Sequence, residues 1–568
     1  MLGLPTSVSS TGFPFISEEA FQKILADIPH LFQEGQVLLN WVRDFNKALA
    51  ISSDVSPDDH QHLQRSLKVV GNMAKTAGVT APPDLWIMRQ ILSVHKIVGI
   101  VDHLLTGGIV TPEFSPAGTK LSAEQLAYDL SFLHARGIID RQGEGYQLSS
   151  LPQVHSLFER LQPIDLKLPD GILPLVEKSV TQALGKDETY LMTQVFQFAA
   201  NYEKRQGWVA GLYEVELGFR VLPLVLALRT KGFTSQLQQG KAVKDVVPQL
   251  LDCLDQTLKM AGYVDPAGWV TELGERVFMR GPGPFGIIRA YHGYTSSLEQ
   301  LLKGKKVHSW VSRGENVAAS QDANRKTFAL ANDALDQFCQ DFGFQYDLFI
   351  EHAVGQGEAS RQRFQRSGDT IAHYVGADLE DAAIDRAVAA QAKGQLPAKM
   401  KFVRQADIGE PDILLQGLAG HGISEAHGVM MVGNGFHEVR GQTNERMIDV
   451  FQQYCAAGLI VIFTEETGLS DDDLRATGWN TYHAGFRYVH DLSGQGLRPA
   501  DDRDERHFTR FSWSKCARLG GYEVMADYTT RTRTIFPHPQ PSGYNPAISV
   551  NYFCVPKSLL QKLKKDKH

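Results

Sequence analysis

The chain has 568 residues, 43% of them hydrophobic and 21% charged, with a formal net charge of −7. This is the composition of a soluble globular protein, and the length exceeds one hydrophobic core, so about two to four domains are expected. The negative balance argues against nucleic acid as a bulk partner, because phosphate binding is driven by clustered positive charge.

Five cysteines (Cys253, Cys339, Cys455, Cys516, Cys554) are scattered with no Cys-x-x-Cys pair, which fits a reducing compartment and no structural zinc. No basic region followed by an apolar core opens the chain, and no segment approaches about eighteen consecutive apolar residues. Neither a signal peptide nor a membrane span is therefore expected, and the cytoplasm is the default location.

Residues 1 to about 90 read as helices separated by polar loops such as Ser52 to Pro57. Ile91 to Leu105 is an apolar helix ended by Gly107-Gly108. Ser122-Ala-Glu-Gln125 has the form of a capping box and opens a second helix through Leu133. Gly137 to Leu148 reads as two short strands around a glycine turn. Helix, capped helix and glycine-turn wing form a winged-helix-like outline, and the same outline recurs at Val247 to Phe278. Between them, Tyr190 to Tyr202 and Gly211 to Lys231 are helices whose aromatic and aliphatic faces belong to a core. Gly281-Pro-Gly-Pro284 is a strong breaker, Ser312 to Asn316 reads as a polar linker, and a helix is expected over Asp322 to Phe342.

From Tyr346 onward apolar strand runs alternate with helical stretches. The runs are Leu348 to Ala353, His373 to Ala377, Met400 to Arg404, Gly428 to Val432 and Leu459 to Thr464. Tyr522 to Tyr528 and Ile548 to Val555 then give two strands joined by a Pro/Gly-rich loop, Phe536 to Gly543. The pattern predicts an α/β fold with a mostly parallel sheet and an antiparallel C-terminal strand, preceded by a helical N-terminal half. Three domains are expected, over 1–165, 166–320 and 321–568. The basic stretch Lys557 to Lys567 reads as a solvated, frayed tail.

The most informative stretch is Glu351-His-Ala-Val-Gly-Gln-Gly357. An apolar run ends in an acid and turns through a glycine pair into a helix-compatible segment. About twenty residues later a second strand-like run delivers Asp378. A glycine turn lets backbone approach a nucleoside ligand closely, and an acid at the next strand tip can hold both ribose hydroxyls.

In this order, with the antiparallel final pair, residues 325 to 557 resemble the class I S-adenosylmethionine-dependent methyltransferases. That family carries a Glu/Asp-x-Gly-x-Gly-x-Gly loop after its first strand. Here Glu351, Gly355 and Gly357 match it, and Ala353 replaces the first glycine. The resemblance implies S-adenosylmethionine as cofactor, with Asp378 on the ribose and Asp407 on the adenine amine. Asn434, in the segment Met430 to Arg440, would lie after the fourth strand, whose end faces the methyl group in this family. A helical and winged-helix-like first half resembles two groups within it. One comprises small-molecule O-methyltransferases, which use that half as a lid and for dimerisation. The other comprises the methyltransferase modules of polyketide assembly lines, of the apratoxin type. The implied partners are a small molecule or an acyl group on a carrier protein, with a homodimer in view and no nucleic acid or membrane.

Methylation of a carbon next to a thioester carbonyl needs proton removal and enolate stabilisation, by a histidine, hydrogen-bond donors or a metal. His437 is the catalytic candidate, as base or ligand, with Glu438 orienting a neighbour. His437, His490 and Gln495 are the candidate metal set, since oxygen and imidazole ligands suit iron or manganese. The same residue types arise from helix capping and loop polarity. His421, His427, His483 and His507 read as surface or structural residues. Arg440 and Arg487 suit a carboxylate or phosphate, or ordinary ion pairs. Glu465-Glu466 reads as a helix-entry acid pair after the fifth strand. Two rival classes share parts of the pattern. An NAD-dependent oxidoreductase also uses a glycine loop and a distal acid. A winged-helix binding protein needs a basic recognition helix, whereas Ala123 to Leu130 is acidic or neutral.

Overall fold

The structure is a computed structural model and describes residues 33–51, 56–116, 118–197, 205–309, 311, 313–424, 428–478, 482–502, 510–535 and 546–566. Residues 1–32, most of the loop at 52–57, the end of the helix expected to Tyr202, Ser312, His427, His507 and the loop 536–543 lie outside the described residues. The chain divides into two compact units. The first comprises Met1–Ala319, Asp471–Leu492 and Phe536–Asn545, and the second Ser320–Ser470, Ser493–Ile535 and Pro546–His568.

The first unit is helical. Its helix Pro57–Ile97 starts on Ser56, whose side chain accepts the Asp59 N–H; the helix expected over Ile91 to Leu105 is its continuation, broken at Gly99 (φ 87°) and resumed over Ile100–Leu105. Trp86 from this helix stacks on Phe219 of helix Leu212–Thr230, with ring centroids 5.0 Å apart. Ser122 caps helix Ala123–Ala135 by accepting the Gln125 N–H. The strands Ile139–Gln142 and Gly145–Leu148 then pair antiparallel, as the glycine turn requires. At the second outline, helices Asp252–Met260 and Glu272–Arg280 flank isolated bridges, Val264 with Val270 and Trp269 with Ala242, in place of two paired strands. The Gly281-Pro-Gly-Pro breaker is a joint: helix Pro282–Ala290 begins at once, with proline in its first turn, where a missing N–H costs nothing.

The second unit is an eight-stranded sheet covered by helices. Helix α1 (Arg313–Phe342) leads in. It begins nine residues before the expected start, so 313–316 continue the helix and are not a linker. The strands are β1 (Leu348–His352), β2 (His373–Asp378), β3 (Lys401–Arg404), β4 (Gly428–Gly433), β5 (Ile460–Glu466), β6 (Tyr522–Val524), β7 (Thr530–Thr534) and β8 (Ala547–Pro556). Between them run α2 (Glu358–Ser367), α3 (Asp381–Ala392), α4 (Pro411–Gly420), α5 (Asn444–Ala456) and α6 (Trp513–Leu519). The sheet order is β3-β2-β1-β4-β5-β8-β6, with β7 also on β8. The first five strands are parallel, and β8 runs antiparallel to β5, β6 and β7.

Every residue of β1 and β5 is buried, as expected of parallel strands covered on both faces. Alternation sends Leu348 and Ile350 into one core with Val432, Phe436 and Phe463, and Phe349 into the other with Phe338, Phe344 and Tyr374. The basic C-terminal stretch is not a frayed tail. Helix α7 (Lys557–Asp566) buries Leu560 in the second core, with Leu559 and Leu563 beside it. That apolar stripe at helical spacing outweighs the lysines between.

Chain order reverses between β1 and β4, which makes their carboxyl ends the switch point of the sheet. Open α/β sheets bind their ligands in the crevice there.

Candidate active site at the carboxyl edge of the sheet

Among the described residues, three that are not glycine have positive φ: Ala353 (57°), Gln405 (53°) and Asn434 (54°). Each directly follows the tip of a parallel strand: β1, β3 and β4 in turn. A left-handed conformation costs an L-residue about 1–2 kcal/mol, and such strain concentrates at functional sites. At Ala353 the value also explains why glycine is expected there. Gly355 (52°) and Gly357 (78°) continue the turn, and Gly357 opens α2. After β4, a Cβ placed on Gly435 would lie 2.8 Å from Val432 Cγ1 and 3.6 Å from Ala353 Cβ. A side chain on Gly435 would thus collide with Val432 of its own strand, while the turn after β1 lies at ordinary contact distance.

The three acids at this edge do different things. Glu351 is buried, and its two carboxylate oxygens accept the Ala359 N–H (3.0 Å) and the Ser360 N–H (2.7 Å) at the start of α2. It locks strand to helix across the glycine turn; burial raises its pKa to about 7 against the pull of those bonds. Asp378, at the tip of β2, accepts from Gly355 N (3.1 Å) and Glu380 N (2.9 Å). Asp407 is half-buried, and its Oδ1 accepts the Gly409 N–H (2.8 Å) in the turn after β3. A glycine turn and an acid at each neighbouring strand tip suit an adenosine cofactor. Among the candidates, Asp378 faces the turn directly and Glu351 shapes it.

His352, beside Glu351, is buried. Its Nδ1 accepts the Ala353 N–H (3.0 Å), and burial holds its pKa down to about 3.

His437 lies in the short 3₁₀ turn Phe436–Glu438 after β4 and is buried. Its Nδ1 donates to Glu465 Oε2 at 2.6 Å, and Glu465 Oε1 accepts the Phe436 N–H at 2.5 Å. Glu465 is fully buried inside β5 and is not a helix-entry acid. Parallel pairing of β4 with β5 brings the two residues together across 28 positions of sequence. The buried carboxylate on Nδ1 fixes the direction of the imidazole ring. Glu466, one residue on, pairs with Arg533 of β7. Asn434 donates its N–H to Thr464 O (2.8 Å), which ties the left-handed turn to β5. Glu438 is half-buried beside His437, and Arg440 is exposed.

The expected metal set is not assembled as donors. His490 belongs to helix His483–Leu492 of the first unit, where its Nδ1 donates to Phe486 O (2.7 Å) and its Nε2 accepts from the Tyr291 hydroxyl (3.0 Å). Both ring nitrogens are thus spent. Gln495 Oε1 accepts from Ser493 Oγ (2.9 Å). Among the described residues no group of three His, Cys, Asp or Glu is placed to hold a metal ion. Arg487 is taken by Asp471 (2.8 Å) and Asp491 (3.6 Å) within the first unit. His483 is buried there, stacked on Phe486, and His421 contacts the Phe402 carbonyl in the second unit.

The strand order with its reversed β8 is that of the class I methyltransferase fold. Solved structures with which the chain aligns include the carbon methyltransferase of CurJ, at 12% identity over 92% of this chain and 99% of that one, with a TM-score of 0.33. They also include the methyltransferase domain of the citrinin polyketide synthase, at 12% identity over 92% of this chain and 95% of that one, with a TM-score of 0.32. A third is an O-methyltransferase family 2 protein from Planctomyces limnophilus in complex with apigenin, at 10% identity over 84% of this chain and 95% of that one, with a TM-score of 0.34. No protein-family model matches the chain, and no curated protein matches it. Among the described residues no helix is long and apolar enough to cross a membrane.

Proposed function

We propose that the chain is an S-adenosylmethionine-dependent methyltransferase whose acceptor is deprotonated by a His437–Glu465 dyad. The observation that carries this is the 2.6 Å bond from His437 Nδ1 to Glu465 near the carboxyl ends of β4 and β5, beside the switch point between β1 and β4 in a methyltransferase-type sheet. Gly355 and Gly357 give the cofactor a close backbone approach, Asp378 takes the ribose hydroxyls, and Asp407 serves the adenine side. S-adenosylmethionine, when bound, supplies an electrophilic methyl on a sulfonium sulfur.

His437 Nε2 takes the acceptor proton, and buried Glu465 stabilises the imidazolium that results. Glu465 also fixes the ring's direction through Phe436 N, so the base is oriented before the acceptor arrives. An already nucleophilic acceptor needs no such base. The dyad therefore favours a weakly acidic group, and the acceptor we propose is the carbon between the two carbonyls of a polyketide-type β-ketoacyl thioester, free or on a carrier protein. Hydroxyl methylation uses the same proton transfer and is the alternative. An NAD-dependent oxidoreductase is disfavoured by β8, which reverses where a dinucleotide-binding sheet continues parallel.

The test is incubation with a β-ketoacyl thioester in D₂O, with and without trideuteromethyl S-adenosylmethionine, read by mass spectrometry. Exchange at the central carbon without cofactor, and a labelled methyl on carbon with it, are expected. Label on oxygen supports the alternative acceptor. Neither exchange nor transfer, on thioester and hydroxylated small molecules alike, overturns the proposal.

A further inference from the structure

The turn bearing His437 is held from a second side. Gln442 Nε2 donates to both the Phe436 and His437 carbonyls, each at 3.0 Å. The Gly496 N–H adds a bond to His437 O at 3.3 Å. Gln442 Oε1 in turn accepts from Arg498 Nε at 3.0 Å. Arg498 is fully buried; its other N–H groups meet Asn444 Oδ1 (2.9 Å), Phe511 O (3.1 Å) and Thr443 O (2.8 Å). The guanidinium also sits 5.7 Å from the centre of the Trp513 ring. All these oxygen acceptors are neutral; Cys516 Sγ lies 3.5 Å away, and Glu445 acts on the guanidinium only through space. A buried guanidinium held by amides and carbonyls is costly to desolvate, which is a poor bargain for stability alone.

We propose that Arg498 and Gln442 are positioning residues for His437, acting through the main chain of its turn. The inference rests on the proposed role of His437 as base. An amide side chain can flip, exchanging donor for acceptor. Arg498 has no acceptor atom, so it forces Gln442 to present oxygen to it and NH₂ to the two carbonyls. With Glu465 on Phe436 N and His437 Nδ1, and Gln442 on the carbonyls, the peptide units on both sides of His437 are pinned. Ring direction is then set by two independent clamps, and neither need touch the acceptor.

Gln442→Glu separates this role from packing. It is near-isosteric and keeps a partner for Arg498, but it replaces the NH₂ that donates to two carbonyls by a single carboxylate oxygen facing both. We expect kcat to fall about tenfold or more, with KM for S-adenosylmethionine within about twofold of native. The His437 ring, followed by NMR of ¹⁵N-histidine-labelled protein, is expected to lose the single Nδ1–H tautomer of the wild type and show mixed or exchanging signals. Native kcat with an unchanged His437 spectrum in folded Gln442→Glu overturns the inference. If that variant does not fold, Gln442→Met carries the test with the same readouts and the same refuting result. Failure of the methyltransferase reading looks different: the wild type then transfers no methyl, while the His437 spectrum still answers to position 442.

Discussion

Replacing Glu465 by Gln tests the dyad most sharply. The shape is kept, and the amide oxygen can still accept the Phe436 N–H. The amide NH₂, however, now faces His437 Nδ1, which must become an acceptor. The proton moves to Nε2, the atom required to take one from the acceptor. The native contact is a 2.6 Å charge-assisted bond to a fully buried carboxylate, worth about 1.5–3 kcal/mol. Losing that stabilisation of the imidazolium alone slows turnover by roughly 10- to 150-fold, and the inverted tautomer carries the expected loss to about 10²–10⁴-fold. The assay is single-turnover methyl transfer, with cofactor affinity measured by calorimetry and folding by thermal melt. Kd for S-adenosylmethionine should stay within about threefold, because Glu465 lies away from the glycine turn in sequence and in bonding. Turnover within about threefold of native, in a folded Glu465→Gln protein, would refute the assignment of the base.

His437→Ala is expected to lose about 10²-fold or more in methyl transfer while retaining cofactor binding; near-native turnover in a folded variant removes His437 from the mechanism. Asp378→Ala removes the acceptor of Gly355 N and of the ribose hydroxyls, so Kd for S-adenosylmethionine should rise by about 1.5–3 kcal/mol, and an unchanged affinity by calorimetry sinks the cofactor assignment. Ala353→Gly relieves a left-handed alanine and should stabilise the protein by up to about 1 kcal/mol in urea; a clear loss of stability would mean that the methyl group packs more than the backbone strains. His352, with its pKa held to about 3 by burial, stays neutral while the unfolded chain is protonated below about pH 6.5. Its share of stability is present above that pH and declines by about 1.4 kcal/mol per unit as pH falls toward 3. His352→Asn keeps an acceptor for Ala353 N and should flatten that decline in acid urea titrations; an identical slope in both proteins contradicts it. Because His490 and Gln495 are engaged elsewhere, EDTA and phenanthroline should leave turnover unchanged, and restoration of chelated enzyme by Fe(II) or Mn(II) would reverse that reading.

The parallel strands were legible because each is a short apolar run closed by a polar or glycine residue. Those of β1, β2 and β4 are matched to within a residue. Strand β7 escaped because Thr-Arg-Thr-Arg-Thr carries no apolar run: it lies at the sheet margin, paired only to β8, and places its arginines beside Asp501 and Glu466. His437 was visible from its place after the fourth apolar run. Glu465 was not, because an acid pair after Ile460-Val-Ile-Phe-Thr reads as the entry to a helix beyond the strand. Only the adjacency of β4 and β5 gives it a partner, and nothing in linear spacing announces that adjacency. A signal was nonetheless present: a glutamate continuing a strand without a turn residue before it. The Arg498–Gln442 contact is beyond sequence reading, because it depends on which way an amide faces.

Strand β5 carries two glutamates in succession with opposite assignments, Glu465 to His437 and Glu466 to Arg533. Adjacent side chains on a strand point to opposite faces, so odd or even position acts as an address. Inserting or deleting one residue within the strand would keep the composition and much of the hydrophobicity, yet deliver a glutamate to the wrong side and a threonine or threonine-like neighbour to the right one. Length changes should therefore be tolerated in the turn at Ala457-Gly458 ahead of β5, where the sheet can recover its parity, and be lethal to turnover two residues further on.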